Sequence, residues 1–157
     1  MISMIASVGK RGELGKNNEL IWHIPEDMKF FKNTTMGHTV IMGKNTYLSL
    51  PGNLPGRQMI VLSSSMDDKD VNVTSNIDEI LDKYLEVEEE IFIIGGAFVY
   101  KQFIDYADKI YLTEIDDECL SADTFFPSFD KNKWDREIIN TGIHNNLSYE
   151  MCKYIRK

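Results

Sequence analysis

No stretch of this 157-residue chain is long and apolar enough to cross a membrane as a helix, which takes about 20 consecutive apolar residues. The apolar start, MISMIASVGKRGELG, fades within a few residues and has no basic segment before it, so no signal peptide is expected. Cysteine is scarce. Cys119 and Cys152 stand far apart with no CxxC pair, which argues against a disulfide framework or a zinc site and points to reduced thiols in the cytoplasm. Basic residues are outnumbered, 17 Lys and Arg against 25 Asp and Glu, for a net charge of -8. That balance excludes a broad surface for nucleic acid or anionic membrane, but not a local basic pocket for a small anion. The four prolines and ten glycines are scattered, and no repeat, low-complexity stretch or linker appears. The chain reads as one domain, 1–157, long enough to bury a core. With no interface signal, it reads as a monomer.

Short apolar runs alternate with helical patterns. Ile2–Val8 reads as a buried strand and Gly9–Glu19 as a long polar loop. Pro25 opens a helix to about Lys32, with Glu26 and Asp27 in its first turn. Strands follow at His38–Met42, Met59–Leu62, Val71–Thr74, Glu90–Ile94 and Lys109–Ile115, with helices near Lys44–Leu50, Ile77–Leu85 and Ala97–Tyr106. PGNLPGR at 51–57 is a turn-rich loop, and DKYLEVEEE a solvated helix end. Trp134–Ile139 and Ser148–Ile155 are further strands around a polar turn. Strands alternating with helices, then strands alone, predict a Rossmann-like three-layer α/β domain. Its sheet is mostly parallel, with antiparallel C-terminal strands.

The segment IWHIPEDMKFF carries the main anomaly: Asp27 shares a helix face with Phe30 and Phe31. An acidic residue in a first helical turn ordinarily complements the helix dipole. A carboxylate set against aromatic rings would instead bind a cationic or amidine-like group, or manage a proton. Trp22 reads as core or as the wall of a pocket, Thr113 as a core threonine bonded to backbone, and Arg57 as a solvated charge or a carboxylate clamp. Three strand ends suit phosphates: IIGGA at Gly95-Gly96, MGKNT at Gly43 with Lys44 and Thr46, and LSSS at Leu62–Ser65. Each alone is more often a plain turn, and the first is not GxGxxG. Together they suit a dinucleotide at the carboxyl ends of a parallel sheet. His23, His38 and His144 have no metal-ligand spacing, so no metal is expected.

In order along the chain, MISMIA, LGKNNELIWHIPEDMKFFK, VIMGKNTYLSL, LPGR, VLSSS, IFIIGGAFVY, YLTEI, DTFFP and the Tyr-rich last strand resemble bacterial dihydrofolate reductase over its full length. The resemblance implies a dihydrofolate reductase-like fold. It also implies NADPH-dependent reduction of dihydrofolate to tetrahydrofolate, in support of one-carbon and thymidylate metabolism, with antifolates as inhibitors. It implies that Asp27 holds the 2-amino group and N3 of the pterin and favours N5 protonation through water, that Thr113 orients Asp27, and that Trp22 positions a water. Leu20 and Tyr100 join these at the reacting atoms. Ile5, Met28, Phe31, Leu50 and Leu54 become apolar walls, with Lys32 and Ile94 also at the substrate, and Arg57 grips the glutamate α-carboxylate. Ala6, Ser7 and Leu14 lie at the nicotinamide. Lys44, Asn45, Thr46, Ser63, Ser64 and the turn Gly95, Gly96, Ala97, Phe98, Val99, Tyr100 hold phosphates, adenosine and ring edge. Gly15, Asn18, Gly43, Leu62, Ile94 and Gln102 complete the cofactor contacts. Gly95-Gly96 is where the family carries a cis peptide, and Gly15–Leu20 is its mobile loop.

The chain departs from the pattern at Ile21, where Pro is usual, at Lys44, where Arg is commoner, and at Ala97 and Phe98. These departures bear on the loop and on the preference for NADPH over NADH, not on the reaction class. A reductase of another heterocycle would need no carboxylate at 27. A non-catalytic nucleotide-binding module would not need Asp27, Trp22 and Arg57 together.

Overall fold

The computed structural model describes residues 1–68 and 70–157. Strand β1 (Ile2–Val8) leads into a hairpin of β2 (Glu13–Lys16) and β3 (Glu19–Leu20), then helix α1 (Pro25–Thr35). β4 (Thr39–Gly43), α2 (Lys44–Ser49), β5 (Gln58–Leu62), β6 (Asn72–Thr74) and α3 (Ile77–Tyr84) follow. β7 (Ile91–Gly95), α4 (Ala97–Phe103), β8 (Lys109–Ile115), β9 (Thr124–Phe125), β10 (Trp134–His144) and β11 (Leu147–Arg156) complete the chain. The main sheet runs β10-β11-β8-β1-β7-β4-β5-β6. β1 pairs in parallel with both β7 and β8, while β11 runs antiparallel to β8 and to β10. The expected mixed architecture is therefore present.

Alternation along each strand splits the apolar residues between two faces. On one face Ile2, Met4 and Val8 of β1 join Ile91 and Ile93 of β7, and α3 and α4 cover them through Ile80, Tyr84, Val99 and Phe103. On the other, Ile5 and Phe92 meet Phe30 and Phe31 of α1 and Tyr47 of α2. Helices on both faces make the three layers. No helix among the described residues is long and apolar enough to cross a membrane.

Several boundaries differ from the sequence reading. The polar stretch Gly9–Glu19 is not a loop throughout: β2 and β3 form a hairpin around Asn17 and Asn18, at φ 53° and 62°. Asparagine tolerates this left-handed geometry better than most residues. β2 also pairs with the unexpected β9. α1 continues a turn past Lys32 because Thr35 is buried and its hydroxyl donates to Phe31 O at 2.8 Å. α3 stops at Tyr84, and α4 stops at Phe103 before a single 3₁₀ turn. β10 and β11 run longer than expected, to His144 and from Leu147, because Asn145 and Asn146 (φ 49° and 66°) close a tight hairpin between them.

Candidate active site

Asp27 points inward from the first turn of α1, and its carboxylate meets two hydroxyls. Thr113 Oγ1 donates to Oδ1 at 2.5 Å, and Ser7 Oγ donates to Oδ2. Ser7 and Thr113 are directly opposite each other in the parallel register of β1 and β8, so their side chains leave the sheet on one face. Thr113 is buried and bonds the carboxylate, not the backbone as a core threonine by default would. Burial pushes the Asp27 carboxyl above its ordinary value, and the hydroxyls of Ser7 and Thr113 pull it part of the way back.

Beside this cluster lies an apolar wall. Phe31, Leu50, Leu54 and Ile94 pack on the group that contains Ile5, as does Tyr111. Met28 and Lys32 of α1 face solvent instead, Met28 at 61% exposure. Beyond the wall Arg57 is half-buried. Its Nη1 donates to Thr35 Oγ1 at 3.3 Å and its Nε to Pro55 O at 3.2 Å. No carboxylate lies within ion-pair distance of it among the described residues, so a guanidinium stands at the end of an apolar groove without a counter-charge.

Two glycine turns meet on the other side. Gly95-Gly96 is a cis peptide. A Cβ added at Gly43 would come 3.1 Å from Val99 Cγ2 and 3.9 Å from Gly96 N, so the ends of β4 and β7 lie side by side. Thr46 Oγ1 borders both glycines of the β7 turn. Tyr100 is buried, and its hydroxyl donates to Ile5 O at 2.6 Å, which ties α4 to the end of β1. Lys44 Nζ reaches Ser65 Oγ at 3.4 Å, which brings the β4 and β5 ends together. Ser63 Oγ accepts from Ser65 N at 3.2 Å. Ser64 and Asn45 are exposed and Leu62, Ala97 and Gln102 half-buried along the same edge, while Phe98 is 74% exposed. The crowding that a side chain would meet at Gly43, and the hydroxyls and amine nearby, fit a phosphate-bearing dinucleotide laid along these strand ends.

The segment from Gly9 to Trp22 is pinned to the loop after β8. Gly15 O accepts from Asp123 N at 3.1 Å, and Asn17 N donates to Asp123 Oδ2 at 2.9 Å. Glu13 is fully buried and takes the N–H groups of Arg11 at 2.6 Å and Cys119 at 2.8 Å. Leu20, opposite Gly15 in the hairpin, is 61% exposed, as Asn18 is exposed, while Leu14 and Ala6 pack on the large core cluster. Trp22 donates its indole N–H to Asp117 Oδ2 at 3.0 Å. An indole has one proton to give, so in this arrangement that N–H is not free for the water that the resemblance implies.

Asp27, Thr113, Ile5, Phe31, Leu50, Leu54 and Ile94 thus come together, and Gly43, Lys44, Thr46, Gly95, Gly96, Val99 and Tyr100 form the adjoining edge. Sequence reasoning missed Glu13, Asp117 and Asp123, and placed Ser7 without its contact to Asp27. For Ser7 a signal existed: the alternation in ISMIASV sets it on the face of Ile5. A glutamate or aspartate in a polar loop offers none.

A family model described as dihydrofolate reductase matches residues 1–156. The dihydrofolate reductase of Bacillus subtilis is 37% identical over 162 aligned positions, covering 100% of this chain and 95% of that one. That of Staphylococcus haemolyticus is 36% identical and covers 90% and 86%. A solved dihydrofolate reductase from Enterococcus faecalis, complexed with NADP(H) and RAB-propyl, superimposes with a TM-score of 0.89 at 31% identity, over 100% of this chain and 96% of that one. With a matching model over nearly every residue, and relatives alike in length and fold, the chain belongs to the dihydrofolate reductase family.

Proposed function

We propose that this chain reduces 7,8-dihydrofolate to 5,6,7,8-tetrahydrofolate. The carrying observation is Asp27, a half-buried carboxylate held by two hydroxyls at the carboxyl ends of β1 and β8. It faces the same space as an apolar wall, beyond which the Arg57 guanidinium has no carboxylate at ion-pair distance among the described residues. The chemistry that NADPH supplies when bound is a hydride for C6 of the pterin, while N5 gains a proton, so each turnover consumes one NADPH and one proton.

Asp27 receives the 2-amino group and N3 of the pterin, and its negative charge favours a proton at N5. Thr113 fixes the carboxylate. Ile5, Phe31, Leu50, Leu54 and Ile94 hold the ring and the aryl group, and Met28 and Lys32 flank the entrance. Arg57 takes the α-carboxylate of the glutamate tail, since its fork matches a carboxylate. Ala6, Leu14, Gly15, Asn18 and Leu20 border the nicotinamide, and the hairpin excludes water there. Trp22 walls the site with its ring. Gly43, Lys44, Asn45, Thr46, Leu62, Ser63 and Ser64 take phosphates and adenosine. Ile94 through Tyr100, with Gln102, line the rest of the cofactor.

The chain acts as one domain and as a monomer, in the cytoplasm, on small molecules and not on nucleic acid. The net charge of -8 and the two free cysteines support this. The test mixes the protein with NADPH and dihydrofolate and follows the NADPH absorbance. A steady decay that requires both partners is expected; no decay overturns the proposal.

A further inference from the structure

Ser7 makes a contact that the proposed roles leave without a purpose. The resemblance puts it beside the nicotinamide, yet its hydroxyl proton goes to Oδ2 of Asp27. The placement follows from the fold. Ser7 shares a face of β1 with Ile5, lies opposite Thr113 in register, and has the carboxylate of α1 between the two hydroxyls. Resting on the dihydrofolate reading, we propose that Ser7 is a positioning residue of the reduction, which with Thr113 clamps Asp27 oxygen by oxygen and sets its plane toward the aminopyrimidine edge of the substrate.

The second clamp has a definite physical effect. The χ2 torsion of an aspartate is broad, so one hydroxyl leaves the carboxylate a hinge. Two hydroxyls on opposite oxygens remove that freedom. An ionised carboxylate has about four acceptor positions. The hydroxyls use one on each oxygen, and one on each oxygen remains, which suits two parallel N–H donors such as a 2-amino group and a ring N–H.

The clamp also bears on charge. Burial raises the proton affinity of Asp27, and Ser7 and Thr113 oppose it. The ionisable groups on the surrounding elements do not take over that task. Glu26 and Lys29 of α1 pair with each other at 3.6 Å in solvent. Lys32 and His23 are exposed. The Tyr111 phenol on the Thr113 face is pushed up to about 12 by burial and stays neutral. Asp117 is engaged by Trp22. Loss of the Ser7 hydroxyl therefore moves the Asp27 carboxyl further up.

The test compares the parent, Ser7→Ala and Ser7→Thr. The protonation of Asp27 is followed by infrared difference spectra, each protein against its own Asp27→Asn partner, and hydride transfer is followed by single turnover across pH. In Ser7→Ala the Asp27 carboxylate should protonate at higher pH than in the parent. The inflection of the rate profile should move the same way, and dihydrofolate affinity should fall roughly tenfold. The NADPH KM should stay within about twofold, since the hydroxyl serves Asp27 and not the cofactor. Ser7→Thr, which keeps the hydroxyl, should return the parental profile. An unmoved carboxylate titration, or a raised NADPH KM with an unmoved inflection, overturns the role of Ser7 and leaves the dihydrofolate reading standing. A parent without turnover overturns that reading instead, and the infrared titration still decides whether Ser7 controls Asp27.

Discussion

Trp22 gives its indole N–H to Asp117 Oδ2 at 3.0 Å, which joins the segment before α1 to the loop after β8. That hydrogen bond, with the backbone N–H of Glu118, holds the Asp117 carboxyl below its ordinary value. A depressed carboxyl supports the folded arrangement above its unfolded pKa, and the support is lost as pH falls through the lower, folded value. Trp22 fluorescence should therefore change in acid, below the usual aspartate range. Asp117→Asn should abolish that step and leave the fold intact at neutral pH. The buried Trp134 supplies a constant background. Identical acid responses in the two proteins would show that Asp117 does not hold the indole.

Glu13 should matter more for stability than any other acid in its segment. It is fully buried, accepts two backbone N–H groups, and has Arg11 Nε at 3.7 Å. Burial pushes its carboxyl up, but the N–H groups of Cys119, of Glu13 itself and of Arg11, with the Arg11 charge, outweigh this and hold it low. Its support is present above the unfolded carboxylate pKa and fades in acid. Glu13→Ala orphans two donors, and thermal or urea unfolding at pH 7 should report a loss of roughly 2–4 kcal/mol. Glu19→Ala, on the exposed strand of the same hairpin, should stay within about 0.5 kcal/mol. Equal effects would mean that Glu13 is only a surface charge.

These two acids mark where the sequence stops being legible. The sheet and its helices follow from local patterning: ISMIASV, TVIMG, IFIIG and KIYLTEI have strand composition, and Pro25 announces α1. Asp27 stands out because it shares a face with Phe30 and Phe31. Glu13 and Asp117 sit in polar stretches with no periodicity, and their partners lie 106 and 95 residues away in the chain. Their roles depend on how two loops meet, which spacing cannot convey. The β2–β3 hairpin was hidden for a related reason. Four residues of strand carry too few side chains to display an alternation, and its only local signal was the pair Asn17-Asn18.

Asp27→Asn should move activity and stability in opposite directions. A half-buried carboxyl with a raised pKa penalises the fold once it ionises, so the parent loses stability as pH rises from the unfolded value through the folded one. The amide carries no charge and escapes this. At pH 7 the variant should melt higher, by about 2–4 °C for each kcal/mol relieved, and the gain should vanish in acid where both carboxyl states are neutral. Turnover at pH 7 should fall roughly 10²–10⁴-fold and partly return at low pH, where the pterin arrives protonated. A variant as fast as the parent at pH 7 removes Asp27 from the proton step.

Arg57 separates recognition of the tail from recognition of the ring. Its guanidinium is steadied by Thr35 Oγ1 and Pro55 O, so it is held in place before any ligand arrives. A bidentate pair with a carboxylate in such a half-buried site is worth about 2–4 kcal/mol, or roughly 30- to 1,000-fold in affinity. Arg57→Leu keeps the apolar stem and removes the fork. Dihydrofolate should weaken by about that factor, while a pterin without the glutamate tail should change by no more than about threefold, because it never reaches Arg57. The pair of affinities, measured by fluorescence titration in the presence of NADPH, decides the assignment. Equal losses for both ligands would mean that the substitution disturbs the groove as a whole, and that the tail carboxylate binds elsewhere.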